Sequence, residues 1–192
     1  GKGTHVKSGI GMTWSGFRPS DDACTYGYLV PSNMFAVVVL GYLEEIARLI
    51  VESSDLAKAA AELRKEIYDG IENFAITCKE GYGEVYAYEV DGYGQFNLMD
   101  DANVPSLLSM DYLGYEGKNP QVAENTRNLI LSEANPFYYR GAKAEGIGSP
   151  HTPVEYIWHI ALCMQGLTAS TREEKKKMID LAASTDGGKM LM

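Results

Sequence analysis

Residues 32–78, SNMFAVVVLGYLEEIARLIVESSDLAKAAAELRKEIYDGIENFAITC, set two kinds of helix side by side. In the first half, apolar residues such as Met34, Phe35, Val38, Leu40, Tyr42, Leu43, Ile46 and Leu49 fall on every side of a helical wheel. A helix apolar all round is expected to be buried all round, so 32–51 reads as an inner helix. After a turn at Ser53-Ser54, with Ser54 or Asp55 as N-cap, the apolar residues Leu56, Ala60, Leu63, Ile67, Ile71, Phe74 and Cys78 recur at steps of three and four. That one-sided stripe predicts an outer helix running to about Cys78.

The couplet recurs. Tyr156–Leu167 is apolar nearly all round, and Ser170 or Thr171 then caps a lysine-rich, one-sided helix ending near Ser184. Segments 104–113 and 119–132 give a third pair, with Asn119 as cap and Pro120 at the first helical position. Buried helix, short turn and amphipathic helix in repetition predict an all-α fold, a helical toroid or half of one. A solenoid would show self-similarity at a fixed period, which is absent. The exception is 84–98, EVYAYEVDGYGQFNL, whose alternation around Asp91-Gly92 predicts a β-hairpin, expected at the rim of the helices.

Composition narrows the function classes. A net charge of -9 and a pI near 4.8 argue against a nucleic-acid partner, whose phosphates an acidic surface repels. The longest apolar run, Pro31–Leu43, is too short to span a bilayer and ends at Glu44-Glu45, so no membrane association is expected. Cys24, Cys78 and Cys163 are odd in number and far apart, which predicts buried free thiols and a reducing, cytoplasmic setting. His5, His151 and His159 are too dispersed for a local zinc motif, so neither metal nor cofactor is expected. Glu89 and Asp91 beside Gly92 hint at a calcium loop but lack the ligand register. Gly1 at the start, without a signal-peptide pattern, and GGKMLM at the end read as the limits of an internal fragment of a longer catalytic domain.

Three clusters carry chemistry. In 11–35, GMTWSGFRPSDDACTYGYLVPSNMF, adjacent carboxylates Asp21 and Asp22 stand among Trp14, Phe17, Tyr26 and Tyr28, with Arg18 nearby. Flat rings beside charged groups suit a sugar, whose apolar face stacks while its hydroxyls bond, and an aspartate there is a candidate proton donor. A helix-entry loop would use the same residues for its turn amides. Asp100, Asp101 and Asn103 precede a helix, as ligands or as N-caps. The stiff loop 146–153, GIGSPHTP, delivers His151 and Thr152 to the next buried helix.

Taken together, 11–35, 88–108 (YEVDGYGQFNLMDDANVPSLL, from Tyr88) and 146–168 (GIGSPHTPVEYIWHIALCMQGLT) occur in an order and spacing that resembles glycoside hydrolase family 125, the exo-α-1,6-mannosidases. The resemblance runs through nearly the whole chain. It implies an (α/α)6 barrel, of which this is roughly the C-terminal half, and removal of terminal α-mannose from a glycan with inversion and without a metal. It also places the general acid within Ser20-Asp21-Asp22, with Asp21 the first choice and Asp22 the alternative. The general base falls in a His-Glu step after the glycine turn, past Met192. Arg18, Asp100, Asp101, Asn103, His151 and Thr152 become sugar-hydroxyl ligands, and Trp14 and Tyr93 stacking surfaces; Trp158, inside a buried helix, reads first as core and second as a stacking surface. The rivals are a non-catalytic toroid that binds glycans or proteins, and another (α/α)6 carbohydrate-active enzyme such as a lyase.

Overall fold

The computed structural model describes residues 4–185. β1 (Tyr28–Leu29) leads into α1 (Val30–Leu49) and α2 (Ser54–Phe74). Then come β2 (Ile76–Lys79), β3 (Gly83–Tyr86), β4 (Glu89–Val90) and β5 (Phe96–Asn97), followed by a single turn, α3 (Met110–Leu113), and α4 (Pro120–Ile130). The strands β6 (Tyr138–Arg140) and β7 (Glu145–Ile147) precede α5 (His159–Leu167) and α6 (Arg172–Ser184). The molecule is mostly helical, with three small antiparallel sheets ordered β1-β4-β5, β2-β3 and β6-β7.

Two of the three predicted helix pairs form. α1 packs lengthwise on α2, and α5 on α6. The cap of α2 is Ser53, whose hydroxyl accepts the Leu56 N–H at 3.3 Å, and Thr171 caps α6 by accepting the Glu174 N–H at 3.1 Å. Asn119 caps α4, with Pro120 opening it. The third pair fails. Residues before Met110 stay non-helical because side chains take their amides: the Asp100 carboxylate accepts Leu107 and Leu108 N–H, and Ser106 and Ser109 exchange bonds. α4 packs instead on β3, where Thr126 Oγ1 accepts the Tyr86 N–H at 2.9 Å.

The expected helix to Cys78 stops at Phe74, because the β-branched Ile76 and Thr77 pair with Tyr86 and Val85 across β2-β3. The expected hairpin is real but splits: β3 turns back to β2, while β4 and β5 pair Glu89 with Asn97 and Val90 with Phe96. The inner helices are covered on one side only. On α1, Val30, Met34, Val37 and Ala47 are buried, but Tyr42, Leu43, Ile46 and Leu49 are exposed, as are Ile160 and Leu167 of α5. Cys24 is buried, whereas Cys78 on β2 and Cys163 on the open side of α5 are exposed, contrary to the expectation for all three thiols. By length and apolarity α1 meets the requirement for a membrane span, with hydropathy 1.3, which the shorter run Pro31–Leu43 did not. A core helix meets the same requirement.

Glu72 ties α2 to the sheet and loop behind it. Its Oε1 accepts the Tyr86 and Tyr115 hydroxyls at 2.7 and 2.8 Å, and its Oε2 accepts the Lys118 N–H at 3.0 Å. On the opposite flank the segment before Trp14 lies directly on α2. A Cβ on Gly70 would sit 2.3 Å from the Ile10 carbonyl oxygen, and one on Gly11 (φ 88) would sit 2.3 Å from that of Glu66.

Gly70→Ala tests this approach. Alanine gains about 1 kcal/mol of helix propensity over glycine, but forcing a methyl against backbone costs about 1–3 kcal/mol. A lower urea midpoint is expected; a higher one would show that the Ile10–Met12 segment yields freely.

Candidate active site

The Asp21-Asp22 pair sits in a tight turn closed by an antiparallel bridge between Phe17 and Ala23. Within it Arg18 N–H donates to the Asp22 carbonyl at 2.8 Å, and Asp21 N–H to the Arg18 carbonyl at 3.0 Å. Asp21 occupies the tip, exposed and in the left-handed region at φ 65. Asp22, on the returning limb, meets the third block: its Oδ2 lies 3.6 Å from His151 Nδ1. That oxygen is enclosed and has no hydrogen-bond partner, while the side chain as a whole keeps 30% of its surface open. Of the two, Asp22 faces His151 and Asp21 faces solvent.

The turn is held from beneath by Glu89, which the sequence offered only as a calcium-ligand hint. Glu89 is fully buried on β4 and accepts Arg18 Nε at 2.6 Å, Thr25 N–H at 3.0 Å, Tyr26 N–H at 3.3 Å and Asn97 Nδ2 at 2.9 Å. Arg18 is therefore largely buried in an ion pair through Nε, with its guanidinium 5.8 Å from the Tyr88 ring. Asp91 likewise closes its own turn, accepting Tyr93 and Gln95 N–H, so the calcium hint dissolves.

The second and third blocks are stitched together. Ala102 N–H donates to the Gly148 carbonyl at 3.0 Å, and Asn103 Nδ2 reaches Ser149 Oγ at 3.4 Å. Asn103 also donates twice to Asp101 Oδ1, at 3.0 and 2.8 Å, leaving the enclosed Asp101 Oδ2 unpaired. Ser20 Oγ and the Tyr88 hydroxyl are enclosed and unpaired as well. An unsatisfied buried polar atom costs about 1–3 kcal/mol, so each of these four atoms is one that water or a polar ligand would complete. Burial beside Asp100 and Asp101 holds the Tyr88 phenol protonated, with its pKa well above the usual value.

Asp100 does different work from Asp101. It is fully buried, and both its oxygens accept backbone N–H groups, from Leu107 at 2.8 Å and Leu108 at 2.9 Å, so it shapes the turn before α3 and offers nothing to a ligand. Burial pushes its carboxyl up to about 7 against the pull of those amides. Thr152 is also committed: it accepts the Trp158 indole N–H at 3.0 Å and donates to the Ser149 carbonyl at 3.3 Å. Trp158 is thereby pinned at the start of α5, half-buried against the core, and is no open stacking face. Trp14 and Tyr93 are open, at 54% and 66% exposure. The Trp14 ring is seated by Gly27, where a Cβ would fall 2.4 Å from the indole nitrogen.

A groove of about 660 Å³ between α1, α2 and the α3 turn, lined by Tyr42, Arg64 and Tyr115 among others, lies apart from these groups. Among the described residues no three His, Cys, Asp or Glu side chains group as metal ligands.

The family described as metal-independent alpha-mannosidase (GH125) matches residues 1–192. A relative from Schizosaccharomyces pombe, the meiotically up-regulated gene 157 protein, is 40% identical over 193 residues, covering 100% of this chain and 38% of the relative. A solved structure of a Streptococcus pneumoniae protein is 49% identical with a TM-score of 0.91, covering 96% of this chain and 44% of that one. It is described as a metal-independent alpha mannosidase in a non-productive substrate complex with alpha-1,6-mannobiose. The chain thus spans less than half the length of the relatives it matches.

The raised pKa of Asp100 has a sign that can be checked. A carboxyl near 7 when folded and near 3.8 when unfolded adds stability that is full below about 4 and lost as pH rises through about 7. Asp100→Asn is expected to lower stability by about 1–3 kcal/mol at acidic pH, since its amide NH2 must face a backbone N–H. The gap between wild type and variant should narrow as pH rises toward 8 in urea melts; a widening gap would show that the carboxylate is the favoured folded form.

Proposed function

Because the chain belongs to glycoside hydrolase family 125, the metal-independent α-mannosidases, we propose that it carries the proton-donor half of a site that removes terminal α-1,6-linked mannose with inversion. One observation carries the reading: Asp22, not its neighbour, stands beside His151 where the three sequence blocks meet. Asp22 donates its proton to the glycosidic oxygen as the bond from that oxygen to the anomeric carbon breaks, and a water attacks the opposite face. A second carboxylate, roughly 6.5–9.5 Å away, takes the water's proton. The expected His-Glu step for that base does not occur within residues 1–192.

Around the acid, Asp101 and His151 are the hydroxyl ligands of choice, with Asn103 orienting Asp101 through its paired bonds to Oδ1. The exposed Trp14 is the stacking face for the sugar ring. Residues 1–192 form part of one catalytic domain, and the open apolar faces of α1 and α5 pack against further helices of an (α/α)6 barrel. An α-mannoside glycan as substrate is supported by the mannobiose bound to the pneumococcal relative.

In the full-length protein, Asp22→Asn should cut mannose release from α-1,6-mannobiose by about 10²–10⁴-fold, the usual contribution of a general acid. Asp21→Asn should retain most of the activity. Full activity in Asp22→Asn would refute the assignment.

A further inference from the structure

We propose that Glu89 is the positioning residue of the acid turn: it fixes the direction of Asp22 without touching the sugar. The proposal rests on the reading of Asp22 as proton donor. Glu89 has no exposed surface, so contact with substrate is excluded by geometry. Its two oxygens grip the turn at both ends. Oε1 takes Arg18 Nε just after the Phe17 side of the bridge, and Oε2 takes the Thr25 and Tyr26 amides just after the Ala23 side. The carboxylate itself is anchored from the sheet, because β4 pairs with both β1 and β5 and Asn97 on β5 donates to Oε2.

Between those two grips the chain has only the bridge and the Arg18–Asp22 backbone bonds to define it, and its tip residue sits in the left-handed region at φ 65. A turn so short transmits any slip of Arg18 or Thr25 directly to Asp22. Proton donation tolerates little slip, since misplacement of about 1 Å can cost 10²-fold. All four groups bonded to Glu89 are donors, so a full carboxylate is required. A glutamine would set an amide NH2 against N–H groups and release one side of the turn.

The test separates positioning from general damage by changing how much the reaction needs a proton. In α-1,6-mannobiose the leaving alkoxide must be protonated as it departs, whereas fluoride leaves α-mannosyl fluoride unaided. In the full-length protein, Glu89→Gln should lower kcat on mannobiose by about 10- to 100-fold while kcat on the fluoride changes little and KM is nearly constant for both. Asp22→Asn should give the same split, more steeply. Equal losses on both substrates for Glu89→Gln, with the split kept in Asp22→Asn, would overturn the positioning role and leave the acid standing. Full mannobiose activity in Asp22→Asn would remove the acid and the proposal with it. Should Glu89→Gln fail to fold, Asn97→Ala removes one donor and spares the ion pair. It should shift the substrate ratio in the same direction by about threefold, and an unchanged ratio would overturn the proposal.

Discussion

A single buried carboxylate organises this molecule. Glu89 is taken wholly out of water, and desolvating a charge costs several kcal/mol unless it is paired and its lone pairs are filled. Here the opposite charge of Arg18 and three further donors meet that demand. Such an arrangement adds little net stability over an apolar replacement, but breaking one partner leaves an uncompensated charge worth about 3–5 kcal/mol. The pair is therefore better understood as fixing one conformation than as strengthening the fold. Its surroundings fit: Tyr88 lies against the guanidinium, and the Cys24 thiol is pushed up to about 12, mainly by burial and then by the charge of Glu89, so it stays protonated.

Helices with a clear apolar period were legible in the sequence, and so were caps whose chemistry is local. Asn119 and Thr171 cap as expected because an N-cap concerns only two or three neighbouring residues. The misreadings share a different cause: long-range partners outcompeted local pattern. The stretch before Met110 has helical periodicity, but Asp100 takes its amides. The end of α2 looked helical until β3 offered Ile76 and Thr77 a pairing. Glu89 was read only as a hint of a calcium loop, and its true role was invisible because its partner Arg18 is 71 positions away. The only local trace was a charged residue in a strand whose neighbours Tyr88 and Val90 are apolar.

The inner helices show how composition can be right while burial differs. α1 and α5 have apolar residues all round, yet only the sides facing their partners are covered among the described residues. A contiguous apolar face of this kind marks a contact surface in a soluble protein.

The two aspartate pairs show why residue type alone does not assign a role. Asp21 and Asp100 could each have been the reactive member, but one is a solvent-facing turn tip and the other a buried cap for two amides. Their neighbours Asp22 and Asp101 each keep one enclosed oxygen without a partner. At about 1–3 kcal/mol apiece, unsatisfied atoms are not retained for stability. With Ser20 and Tyr88 they form a local deficit of satisfied bonds. Water or a polar ligand would complete such atoms, whereas Asp21 in solvent and Asp100 on its two amides need neither.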